Sequence, residues 1–128
     1  MRILLDTHTI VWAANGTLAP NASALIEDMA NELYFSPVNI WEIELKRTRL
    51  NFEARVLHQN LVHNGYRELA VTTRHVLEIK KLPLLHSDPF DRLLLAQALT
   101  EGLFLLTSDE MLRQYSESVD CIISFNKK

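Results

Sequence analysis

The stretch Asp88-Pro89-Phe90-Asp91-Arg92-Leu93-Leu94-Leu95-Ala96-Gln97-Ala98-Leu99-Thr100-Glu101-Gly102-Leu103-Phe104-Leu105-Leu106-Thr107-Ser108-Asp109 carries the pattern that decides the fold class. An acid at the N-cap followed by proline at the first helical position opens a helix over Pro89 to Glu101. Gly102 then introduces the short apolar run Leu103 to Leu106, which reads as a buried strand. The same arrangement of strand and acid opens the chain, where Ile3-Leu4-Leu5 runs into Asp6. Outward from these two strands, helices are expected at Asn21 to Ala30, Pro37 to Arg47, Glu53 to Asn64 and Thr73 to Lys80. Weaker strands are expected at Tyr34-Phe35, Glu68 to Val71 and Val119 to Ile123. Strands alternating with helices predict an α/β domain with a central, mostly parallel sheet.

Size and composition agree with one such domain over residues 1–128. Hydrophobic residues make up 48% and charged residues 23%, which excludes a disordered chain. The single cysteine, Cys121, has no internal partner, reads as a core residue, and suits a cytoplasmic location. No apolar run approaches the length of a membrane span, and Asp6 interrupts the first one before it could act as a signal-peptide core. A net charge of −3 argues against a simple electrostatic nucleic-acid binder unless bound cations reverse the sign of the site.

Acids at strand ends supply the chemistry. In open parallel sheets, sites form outside the carboxyl ends of strands, where Asp6 and Asp109 fall, although each also suits a helix or turn cap. Asp91 stands one turn into its helix and is alternatively explained, with Asp88 as N-cap, as an approximate capping box. Glu42 lies one turn into the helix that Ser36-Pro37 begins. There it either pairs with Lys46 or joins Asn39 and Lys46 in a polar stripe beside the apolar Trp41 and Leu45. Grouped carboxylates repel, and a fold tolerates them when some are protonated or when hard divalent cations sit between them. Mg²⁺ or Mn²⁺ is suited to that role and to phosphoryl chemistry, and makes an acidic pocket attractive to phosphate.

Together these segments resemble the PIN-domain nucleases and, within them, the VapC-type ribonuclease toxins of toxin–antitoxin pairs. The similarity lies in Leu4-Leu5-Asp6-Thr7-His8 with Trp12, Trp41-Glu42-Ile43 with Lys46, Leu82-Pro83, His86-Ser87-Asp88-Pro89-Phe90-Asp91-Arg92 running into Leu95-Ala96-Gln97-Ala98, and Leu106-Thr107-Ser108-Asp109. The resemblance implies a three-layer α/β/α fold, metal-binding and catalytic acids at Asp6, Glu42, Asp91 and Asp109, and Thr107 as an accessory residue. It implies cleavage of RNA phosphodiesters by water activated at Mg²⁺ or Mn²⁺, leaving a 5′-phosphate and a 3′-hydroxyl. It also implies a homodimer and a cognate antitoxin. Asn39 stands where many relatives have serine, and Arg47-Thr48-Arg49-Leu50 replaces the usual glycine-containing turn.

The remaining signals are subordinate. Lys46, Arg47, Arg49 and Arg92 are candidate contacts to the RNA backbone, and Lys127-Lys128 is a second basic group. Asp88 reads as a cap and His86 as a structural hydrogen-bonding histidine. Trp12 and Trp41 read as core or interface residues rather than base-stacking ones. The helix Asn21 to Ala30, with Ala22, Leu25, Ile26 and Met29 at helical spacing, is expected with Trp12 to leave an apolar docking patch. Two rivals to the nuclease have weaker support. A receiver-like Mg²⁺-binding domain would carry adjacent acids after its first strand, whereas Asp6 is followed by Thr7. A non-catalytic PIN-like interaction module would be expected to have lost an acid, and all four are present.

Overall fold

A computed structural model describes residues 1–126. Its elements run β1 (Arg2–Leu5), α1 (Thr7–Asn15), α2 (Pro20–Glu27), β2 (Glu32–Phe35), α3 (Pro37–Leu45), α4 (Arg47–Leu50), α5 (Ala54–His63), β3 (Arg67–Glu68), α6 (Thr73–Glu78), α7 (Pro89–Glu101), β4 (Phe104–Thr107), α8 (Glu110–Arg113) and β5 (Ile122–Ser124). The five strands form one sheet in the order β3-β2-β1-β4-β5, and every pairing is parallel.

Alternation along the strands explains the three layers. Ile3 and Leu5 of β1, Phe35 of β2 and Leu106 of β4 face one side, where they pack with Ile10, Val11, Ala22, Leu57 and Leu61 from α1, α2 and α5. Leu4, Tyr34 and Leu105 face the other, against Leu94, Leu95 and Ala98 of α7 and the buried Leu112 and Tyr115. Both faces are covered at the centre of the sheet, so residues 3–5, 33–35 and 104–106 run as continuous apolar stretches rather than alternating with polar residues, whereas the edge strand Arg67–Glu68 is exposed. This is the α/β/α architecture expected from the sequence.

Strand order positions the site. From the central β1 the chain builds outward through β2 and β3, then returns to the other side of β1 for β4 and β5. The connections leaving β1 and β4 therefore diverge to opposite sides, opening a crevice at the carboxyl ends of two adjacent strands. In a receiver-like sheet the first strand lies next to an edge; here it is central, which removes the receiver alternative.

Several expectations need correction. The sequence reading omitted α1, although Asp6 caps its start and Gly16, with a left-handed φ of 73°, ends it. The helix expected over Asn21 to Ala30 is Pro20–Glu27, so Met29 lies beyond it. Ala22 is buried and Leu25 and Ile26 pack on the core, so this helix spends most of its apolar face internally rather than on a docking patch. The helix expected to reach Arg47 divides at Lys46, and α4 then closes on Asn51 at a φ of 56°. Thr73 to Lys80 is α6 followed by a tighter 3-10 turn over Ile79–Lys81. The edge strands are short, Arg67–Glu68 and Ile122–Ser124. Lys127-Lys128 lies outside the described residues.

Candidate active site

Each acid is held by a device legible in its local sequence. Asp6 follows β1 as the N-cap of α1. Its Oδ1 accepts from the Thr9 backbone N–H at 2.9 Å and from the Thr9 hydroxyl at 2.5 Å. Its Oδ2 accepts from the hydroxyl of Thr107, the last residue of β4. That hydroxyl in turn accepts from the Asp109 N–H at 3.0 Å, so Thr107 ties the two strand-end acids together. Asp109 caps α8 through Oδ1, which accepts from the N–H groups of Met111 at 2.7 Å and Leu112 at 3.3 Å. Both capping roles anticipated for these acids are present, and capping leaves Oδ2 of Asp109 pointing to His86, 3.9 Å from Nε2.

Asp91 sits in the first turn of α7, the helix that Asp88 caps by accepting from the Phe90 N–H at 2.9 Å. The Asp91 carboxylate is not used in the cap; its Oδ2 lies 2.8 Å from His86 Nε2. Glu42 comes from α3, where Ser36 and Asn39 form a reciprocal capping box. Its Oε1 accepts from the Thr7 hydroxyl at 2.5 Å and its Oε2 from Lys46 Nζ at 2.6 Å. The Asn39 amide donates to the Thr7 hydroxyl at 3.1 Å and to the Leu5 carbonyl at 3.3 Å, fastening α3 to the end of β1.

The electrostatics show that these groups share one neighbourhood. Burial, then the negative charges of Asp88, Asp6, Glu42 and Asp109, push the Asp91 carboxyl up to about 8. Burial also raises Asp6, opposed by its hydrogen bonds from Thr107 and Thr9. Without a cation, Asp91 therefore keeps its proton near neutral pH, since the site tolerates no further negative charge. A hard divalent cation relieves that constraint, and the carboxylate oxygens are the donors it prefers. His86, Asp88 and Asp91 each also offer a ligand atom, all within 4.8 Å of one another. The sequence reading treated His86 and Asp88 as supports and did not anticipate this grouping. Thr7 and Thr9 were also missed as partners of the acids, although a hydroxyl on either side of His8 within one turn of Asp6 was a usable signal.

Asp6 and Asp109 open onto a cleft of about 490 Å³ that His8, Trp12 and Ser108 also line. Among the basic residues, Lys46 is paired with Glu42, and Arg47 and Arg49 are exposed on α4. Arg92 turns to the backbone, donating to the carbonyls of Ile79 at 3.2 Å and Leu82 at 3.4 Å. On α3 the inward face is Val38, Asn39, Glu42 and Ile43, whereas Trp41 and Leu45 are 59% and 62% exposed. The apolar stripe of Trp41 and Leu45 is therefore the outward one and the polar stripe the inward one, and Trp41 is not a core residue.

A family model described as PIN domain matches residues 3–118. No curated protein sequence matches the chain. Among solved structures, a chain of VapBC2 from Rickettsia felis, bound to a DNA fragment from their promoter, is similar with a TM-score of 0.71 at 15% identity, covering 100% of each chain. A chain of a toxin–antitoxin complex from Klebsiella pneumoniae aligns at a TM-score of 0.69 and 14% identity over 97% of this chain and 98% of its own. FitAcB from Neisseria gonorrhoeae gives 0.68 at 19% identity over 97% and 96%.

Proposed function

Because the chain belongs to the PIN domain family, we propose that residues 1–128 act as one domain, a metal-dependent endoribonuclease serving in the cytoplasm as the toxin of a toxin–antitoxin pair. The observation that carries this reading is the charge environment of Asp91, whose carboxyl is raised to about 8 by burial and by four other acids. Such a cluster is costly unless a cation occupies it.

Asp6, Glu42, Asp91 and Asp109 are the proposed holders of Mg²⁺ or Mn²⁺. When bound, such a cation supplies positive charge to phosphate oxygens and lowers the barrier to deprotonating water. Thr107 keeps the Asp6 carboxylate in register with the Asp109 backbone through its two hydrogen bonds. Lys46 and Thr7 hold the buried Glu42 carboxylate in a fixed orientation, one partner on each oxygen. His86 is placed to orient the Asp91 carboxyl at 2.8 Å, and its Nε2 lies 3.9 Å from Asp109 Oδ2. Lys46, Arg47 and Arg49 follow on from α3 and are the proposed contacts to RNA phosphates.

An antitoxin partner is supported by the toxin–antitoxin complex among the structural neighbours. A cationic antitoxin side chain would be attracted to the metal-free acids and exclude the metal. A homodimer is proposed with it. The reading is tested by incubating purified protein with single-stranded RNA in Mn²⁺, in Mg²⁺ and in excess chelator. Cleavage to 5′-phosphate products with metal alone, lost in Asp6→Asn, is expected; undiminished cleavage in chelator, or full activity of Asp6→Asn, would overturn it.

A further inference from the structure

We propose that Trp41 and Phe90 form a stacking platform for an unpaired nucleobase of the RNA strand whose backbone crosses the acid cluster, an inference that rests on the nuclease reading above. Each ring immediately precedes an acid of the site, Trp41 before Glu42 on α3 and Phe90 before Asp91 on α7. The rings meet edge to face, with centroids 4.9 Å apart at 75°. Trp41 remains 59% exposed despite that contact, so Phe90 braces the indole without covering it. The platform adjoins the site: one ammonium, Lys46 Nζ, lies 2.6 Å from Glu42 Oε2 and 5.7 Å from the Phe90 centroid.

Charge explains the need for such a surface. With a net charge of −3 and clustered carboxylates, the chain draws little RNA affinity from its overall field. Stacking on an aromatic face is uncharged, and every base presents a π-face to it. Arg47 and Arg49 follow on the same segment as Lys46 and supply the cations that track the adjoining backbone. An exposed indole braced by a second ring, bordered by cations and beside the reacting acids, matches an unpaired base; bases inside a duplex have no free face to offer.

The chain has two tryptophans, so in a Trp12→Phe background Trp41 is the only indole reporter. Titration with a short 2′-O-methyl oligoadenylate in Ca²⁺, whose larger and looser oxygen coordination neutralises the acids without aligning water for in-line attack, reads binding without turnover. Quenching of Trp41 emission is expected, with roughly 5- to 150-fold weaker binding in Trp41→Ala and most of it restored in Trp41→Phe. An abasic strand of the same length should bind wild type and Trp41→Ala alike. Unchanged emission on binding, or wild-type affinity in Trp41→Ala, would overturn the proposal. So would a Trp41→Ala variant that turns a dimer into a monomer with unaltered oligonucleotide affinity, since the face would then belong to a second copy. The same proteins assayed on unmodified RNA in Mn²⁺ separate the two readings. Quenching without any cleavage sinks the nuclease and leaves the platform; cleavage without quenching does the reverse.

Discussion

Replacing Asp91 by asparagine should stabilise the metal-free protein, and increasingly so as pH rises. The folded Asp91 carboxyl titrates at about 8, against 3.8 in the unfolded chain, and burial is the first cause. Between those two values the folded state holds a proton that the unfolded state has released. Stability from this group is therefore fully present below about pH 4 and is lost as pH climbs toward about 8. Each pH unit in that window carries a little over ~1 kcal/mol, so near neutrality the cost is at most about 4 kcal/mol. Asp91→Asn removes the titration but weakens the contact to His86 at 2.8 Å, leaving a net gain of about 1–3 kcal/mol. Thermal unfolding followed by circular dichroism in chelator, from mildly acidic to mildly alkaline buffer, measures it. The midpoint of Asp91→Asn should exceed wild type by several degrees at the alkaline end, with the gap closing in acid. A gap that is absent, or that does not grow with pH, would refute the reasoning.

Excess Mg²⁺ or Mn²⁺ should reverse that order by stabilising wild type but not Asp91→Asn, by about 3 kcal/mol at a hundredfold excess over the dissociation constant, read by the same melts. Thr107→Val leaves an Asp6 oxygen and the Asp109 N–H unpaired and should cost about 2–4 kcal/mol. If Thr107 also orients the acids for catalysis, turnover on RNA should fall with stability; unchanged turnover would confine it to a structural role. Arg92→Ala should destabilise by about 1–3 kcal/mol, because the Leu82 carbonyl loses its side-chain donor and the Ile79 carbonyl keeps only the Leu82 N–H. Its affinity for oligonucleotide should stay at the wild-type value, and a loss there would return Arg92 to the substrate path.

Much of this arrangement was legible in the chain because its signals are local. Proline after an N-cap residue marks the starts of α3 and α7, and apolar runs closed by Asp6 and by Thr107 to Asp109 mark the two central strands. What escaped depends on tertiary contact. α1 has a capping acid and a terminal glycine, but its apolar positions are interrupted by His8 and Thr9, and Thr9 is buried with its hydroxyl satisfied by Asp6 and the Leu106 carbonyl. Periodicity on α3 pointed the wrong way. Asn39 and Glu42 are inward because Thr7 and the Leu5 carbonyl satisfy them, which releases Trp41 to the outside. The approach of His86 to both Asp91 and Asp109 depends on how the segment before α7 folds back, and no spacing rule encodes that.

The central claim is that the acids at the ends of β1 and β4, with those from α3 and α7, gather one cation-binding centre. Anomalous diffraction from crystals soaked in Mn²⁺ tests it most directly. The expected result is manganese density in contact with carboxylate oxygens drawn from Asp6, Glu42, Asp91 and Asp109, absent from Asp6→Asn crystals treated identically. A wild-type crystal at full soak showing no peak among these acids, or a peak whose ligands include none of them, would contradict it.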